Sequence, residues 1–142
     1  RYAAPNSDYP AFLRQFVADI RATNAIPLLA SSICRRNFNS DGVLIRDLTA
    51  YAQATAQVAT ELTVSFFDLQ QQSCDFIENA GLAGSQPYFI QIPADLYSKF
   101  PDGSTDNTHL TLQGAAKIAQ FFVRELKRQQ HPLAVYVYRE LL

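Results

Sequence analysis

The chain has no methionine, not even at its first position, and only two cysteines and five glycines among 142 residues. The missing initiator hints that the natural chain starts upstream, although processing would leave the same sign. An excess of one charge is missing too. Twelve basic against thirteen acidic residues leave a net charge of −1, so no strong field draws the chain to nucleic acid or to an anionic membrane. No uninterrupted apolar run approaches the ~20 residues of a membrane-spanning helix. The opening residues Arg1, Tyr2, Ala3, Ala4, Pro5 and Asn6 lack the apolar stretch of a signal peptide. Cys34 and Cys74 are too few for a disulfide framework, and no CxxC spacing points to zinc. The two could pair in an oxidising compartment; they read somewhat more readily as buried small hydrophobes.

What is present is the composition of a folded domain. Apolar residues make up 48% of the chain, with ten Phe and seven Tyr to fill a core, and a chain of this length buries roughly two-thirds of its surface on folding. Helical periodicity places Phe12, Leu13, Phe16, Val17 and Ile20 on one stripe of a helix over residues 10–23, closed by Asn24. Residues 26–33 then form a nearly continuous apolar run, the pattern of a strand buried on both faces of a parallel sheet. A second helix is expected over 46–61, with Leu48, Tyr51, Ala52, Thr55, Ala59 and Leu62 inward, and a second buried strand over 63–69. A third helix, 70–79, stops at Gly81.

Residues 81–111 read as a long segment whose aromatics (Tyr88, Phe89, Tyr97, Phe100) keep it ordered and packed. The last clear helix follows Thr111 with Leu112, Ala115, Ala116, Ala119, Phe122, Val123 and Leu126 on one face. The tail 133–138 fits a strand or a packed helix equally well. Helix and strand in alternation give an α/β fold with right-handed crossovers. Two strands make a poor sheet against the usual five or so, so further strands are expected upstream.

The string Asp106-Asn107-Thr108-His109 carries the most chemistry. An Asp three residues before a His lets the carboxylate accept the imidazole Nδ1 proton, leaving Nε2 free to face a nucleophile. By spacing alone the string is weak, because such a His is more often a surface or capping residue. Its extension through Leu110, Thr111, Leu112, Gln113, Gly114, Ala115 and Ala116 resembles the last block of the SGNH (Gly-Asp-Ser-Leu) hydrolases, in particular rhamnogalacturonan acetylesterases. The strand running into Arg35-Arg36-Asn37-Phe38, the strand ending in Asp68-Leu69, and Pro132-Leu133-Ala134 extend the likeness along the chain in the same order.

That resemblance implies a three-layer α/β/α, flavodoxin-like parallel-sheet sandwich, of which residues 1–142 would be the C-terminal portion of one domain. It makes His109 the general base and Asp106 its orienting acid. It also implies hydrolysis of acetyl esters on an acidic pectic polysaccharide without metal or organic cofactor, in an extracellular or periplasmic setting. Arg35 and Arg36 become candidates for the uronate carboxylates of that substrate, since guanidinium forks match carboxylates; the other account of them is a solvated loop pair, or one arginine packed against Asp41 or Asp47. The family's Gly-Asp-Ser and Gly-x-Asn-Asp motifs do not occur, nor does G-x-S-x-G. The nucleophile and oxyanion-hole donors are therefore expected outside this stretch, with the chain alone inactive. The rivals are an esterase or lipase of the same fold on another acyl ester, and a catalytically dead carbohydrate-binding remnant.

Overall fold

A computed structural model describes residues 3–137. Helix α1 (Asp8–Ala22) leads to strand β1 (Leu28–Ala30), helix α2 (Thr49–Leu62), strand β2 (Ser65–Phe67) and helix α3 (Leu69–Ser85). A short 3-10 turn (Gln86–Tyr88) then enters strands β3 (Phe89–Ile92) and β4 (Ser104–Leu110), before helix α4 (Leu112–Arg128) and a closing 3-10 turn (Pro132–Tyr136). The expected end of the third helix at Gly81 appears as a break in α3, where φ is 68°, after which the chain stays helical to Ser85. The tail that fitted strand or helix is 3-10 through Tyr136, and Tyr138 lies outside the described residues. No helix among the described residues is long and apolar enough to cross a membrane.

β1 and β2 pair in parallel, Leu29 opposite Phe66, joined by the α2 crossover. Because successive strand residues face opposite ways, the pair is apolar on both faces. Leu29 and Phe66 pack with Val17, Val58 and Ala59 of α1 and α2. Leu28, Ala30 and Phe67 pack with Phe121 and Leu126 of α4. Helices thus cover both faces, the reason these short runs carry no polar alternation. Among the described residues no third strand joins this pair.

The 81–111 segment is ordered, as its aromatics suggested, and its core is an antiparallel pair, β3 with β4. Pairing is interrupted by a bulge. Between the pairs Gln91–Thr105 and Phe89–Leu110, β3 advances two residues and β4 advances five. The extra length of β4 is the Asp106–His109 segment. Beneath it, Phe89, Leu44, Ile77, Cys34 and Cys74 form a third apolar cluster. Cys34 and Cys74 are joined there as a disulfide, Cα–Cα 5.0 Å, a correction to their reading as separate small hydrophobes. Both sulfurs are buried, but against one another, because β1 delivers Cys34 to the flank of α3.

Candidate active site

Thr111 starts α4, its hydroxyl accepting the Gly114 N–H at 3.2 Å as an N-cap does. The same residue ties the helix to the turn before β3: Thr111 N–H donates to Tyr88 O at 3.1 Å and its hydroxyl to Pro87 O at 2.9 Å. Gly114 is pressed onto Tyr88 so closely that any Cβ there would overlap its carbonyl oxygen. These contacts fix the chain just after His109.

On the bulge, the Asp106 carboxylate gathers the turn around itself. One oxygen accepts the backbone N–H of Thr108 at 2.8 Å and of His109 at 2.9 Å. The other lies 2.6 Å from His109 Nδ1. The two backbone donors, then the imidazole, hold the Asp106 pKa down to about 2. An ionised carboxylate has no proton to give, so Nδ1 is the donor, and in the neutral form of the ring Nε2 is the acceptor. The His109 side chain is 75% exposed and that of Asp106 33%, which leaves the ring accessible while its partner is partly covered.

The two arginines separate. Arg36 is 6% exposed, and its donors are taken up by protein oxygens: Nε by Ser85 Oγ at 3.0 Å, Nη1 by Asn107 Oδ1 at 3.0 Å, and Nη2 by Leu82 O. This placement is at odds with its expected substrate contact; oxygens of α3 and of the β4 bulge take up the buried guanidinium of residue 36, while residue 35 turns outward. Arg35 is half-exposed, pairs with Asp47 at 3.2 Å, and lines an open cleft with Ser32, Tyr9, Leu48 and Tyr51. Asp106 and His109 are brought together, and Asn107 links them to Arg36. Arg35 stands one peptide away, facing the cleft.

Other chemistry-bearing residues have structural partners. Asp68 caps α3, accepting Gln71 N–H at 3.0 Å and the Ser31 hydroxyl at 3.1 Å. His131 is 7% exposed and accepts the Leu133 N–H at 3.2 Å, its ring edge-on to Phe67. Its position as cap of the last 3-10 turn folds it under α4. Tyr88 packs edge-on against Phe76, anchoring the segment, whereas Tyr97 is 57% exposed. Among the described residues no group of three or more His, Cys, Asp or Glu is gathered to hold a metal.

No protein-family model matches the chain. Two curated Bacillus subtilis proteins do. The chain is 29% identical over 140 residues to the probable rhamnogalacturonan acetylesterase YesY, covering 99% of the chain and 60% of that protein. It is 29% identical over 133 residues to the rhamnogalacturonan acetylesterase RhgT, covering 94% of the chain and 57% of that protein. The chain therefore spans somewhat under two-thirds of the length of the curated relatives it matches. In fold it is similar to the crystal structure of protein YxiM from Bacillus subtilis, with a TM-score of 0.72, 20% identity and coverage of 92% of this chain and 33% of that one. An α/β architecture and near-complete alignment lead to one conclusion: over almost its entire length this chain resembles part of a rhamnogalacturonan acetylesterase.

Proposed function

We propose that the chain is the Asp-His portion of a serine carbohydrate esterase, and that it removes acetyl groups from a pectic polysaccharide of the rhamnogalacturonan type. The observation that carries this reading is the 2.6 Å contact between Asp106 and His109 Nδ1, on an exposed bulge, in a chain that aligns with two such acetylesterases. His109 Nε2 takes the proton of a serine hydroxyl as the serine attacks the acetyl carbonyl. The imidazolium is stabilised by the Asp106 carboxylate, then protonates the departing sugar oxygen. Water, deprotonated by the same nitrogen, releases acetate from the acyl-serine.

The serine and the oxyanion donors, on this reading, come from polypeptide outside residues 1–142, as part of the same domain. The sheet supports this, since its two strands leave edges that no described strand covers, and so do the exposed Phe12, Phe16 and Ile26. The complete sheet would then be a three-layer α/β/α sandwich, and the chain alone would lack activity. Arg35, at the mouth of its cleft, is the residue proposed to meet a uronate carboxylate. The Cys34–Cys74 disulfide supports an oxidising, extracytosolic setting.

The test is hydrolysis of p-nitrophenyl acetate and of acetylated rhamnogalacturonan by the polypeptide that contains this chain together with the serine. His109→Ala is expected to lower kcat about 10²–10⁴-fold, the usual worth of a positioned general base. Unchanged turnover in that variant would refute the assignment. An active protein that spares rhamnogalacturonan would keep the mechanism and move the substrate to another acyl ester.

A further inference from the structure

Arg36 is a buried cation with no carboxylate within ion-pair distance among the described residues, and burial pushes its pKa down. Buried charges are ordinarily paired because desolvation costs several kcal/mol. What the guanidinium offers in return is a rigid plane of five donors able to reach several elements at once. It uses them on two otherwise separate parts of the fold. Leu82 O and Ser85 Oγ belong to the last turn of α3, and Asn107 Oδ1 sits inside the β4 bulge, between Asp106 and Thr108. The backbone completes a two-point grip, since Arg36 N–H donates to Asn107 O at 2.9 Å.

The near end of this grip is itself held. Cys34 is bonded to Cys74 of α3, and its N–H donates to Ser73 Oγ at 2.8 Å. Ser85, fully buried, donates its hydroxyl hydrogen bond to Gly81 O at 2.7 Å. The far end is bracketed by the strand pairs at Thr105 and Leu110. Asp106 and His109 hold each other within the bulge, and beyond Leu110 the chain is fixed by Thr111.

We propose that Arg36 and Asn107 are positioning residues: the buried guanidinium, anchored on α3, clamps Asn107 and so fixes the turn on which Asp106 meets His109. The clamp acts through geometry, because the charge of Arg36 is spent on neutral oxygens and not on Asp106. It rests on the reading of Asp106 and His109 as a working pair.

The experiment is imidazole ¹⁵N–¹H NMR on the labelled polypeptide that contains this chain together with the serine, at pH about 9, above the ordinary imidazole range. The parent is expected to show His109 as a single tautomer with the proton on Nδ1, and Asp106→Asn to lose it. Asn107→Ala removes the guanidinium's hold on the bulge without touching the core, leaving only the backbone bond from Arg36 N–H to Asn107 O, and is expected to convert His109 to a mixture of tautomers while the amide spectrum elsewhere is kept. Arg36→Lys, which keeps the charge but not the fork, is expected to do the same; because it empties a buried site, Asn107→Ala carries the decision. A single Nδ1-protonated tautomer retained in Asn107→Ala overturns the clamp and leaves the Asp106–His109 pair standing. A mixture already present in the parent overturns the pair, and the clamp with it.

Discussion

The Asp106 carboxylate accepts the N–H groups of Thr108 and His109 and the proton on His109 Nδ1, and these donors all favour its ionised form. Its pKa in the folded chain is therefore about 2, against about 3.9 for an unstructured Asp. A depressed carboxyl stabilises the fold above its unfolded pKa and loses that contribution as pH falls through the folded value. The Asp106 share is thus complete above pH about 4 and withdrawn between there and about 2. Carbon-13 NMR of the carboxyl group should place the transition near the lower value, and a midpoint at the model-peptide position would deny the three-donor geometry. At this scale the sequence displayed the local contact and hid the distant ones. Asp106 and His109 meet because they lie three positions apart on one turn. Nothing in Arg35-Arg36 tells which arginine turns inward, since that depends on α3 oxygens more than forty residues away. His131 is hidden for the same reason, its burial set by Phe67 of β2.

At the scale of elements, α4 shows how a helix can be foreseen and still be set down with its face rotated. Its start at Thr111 follows from the cap, but Leu112, counted as inward, is 88% exposed, while Gly114, Phe121 and Leu126 are buried. The inward face begins at a residue with no side chain, to which hydrophobic periodicity is blind. Gly114→Ala should force the helix off Tyr88 and cost about 1–3 kcal/mol, as overpacking does; urea unfolding would measure it. Thr111→Ala, which removes the cap and the link to Pro87, should cost about 1 kcal/mol. A Gly114→Ala chain as stable as the parent would mean that α4 does not sit where it is described. The β3–β4 pair was equally hard to foresee. Ser104–Leu110 has almost no β-forming sequence and no alternation, because five of its residues answer to two on β3 and the bulge erases the period. The parallel pair β1–β2, by contrast, was plain from its two unbroken apolar runs, which need cover on both sides.

Over the whole molecule, three apolar clusters hold the described residues together, two flanking the β1–β2 pair and one centred on the Cys34–Cys74 bond beneath the bulge. That bond spans 40 positions. Replacing both cysteines by alanine should lower stability by about 3–4 kcal/mol on chain-entropy grounds, read from denaturant midpoints under non-reducing conditions. The pairing could not be read from a chain with so few cysteines, where proximity is a property of the fold and not of the spacing. The bond also draws a closed ring of chain around α2 and β2. Within that ring lies the exposed turn at Asp41 and Gly42, the kind of loop tip that invites proteases. A single cut there opens the ring without dividing the molecule: the two pieces would travel as one on a gel until a thiol reductant is added, and only then part.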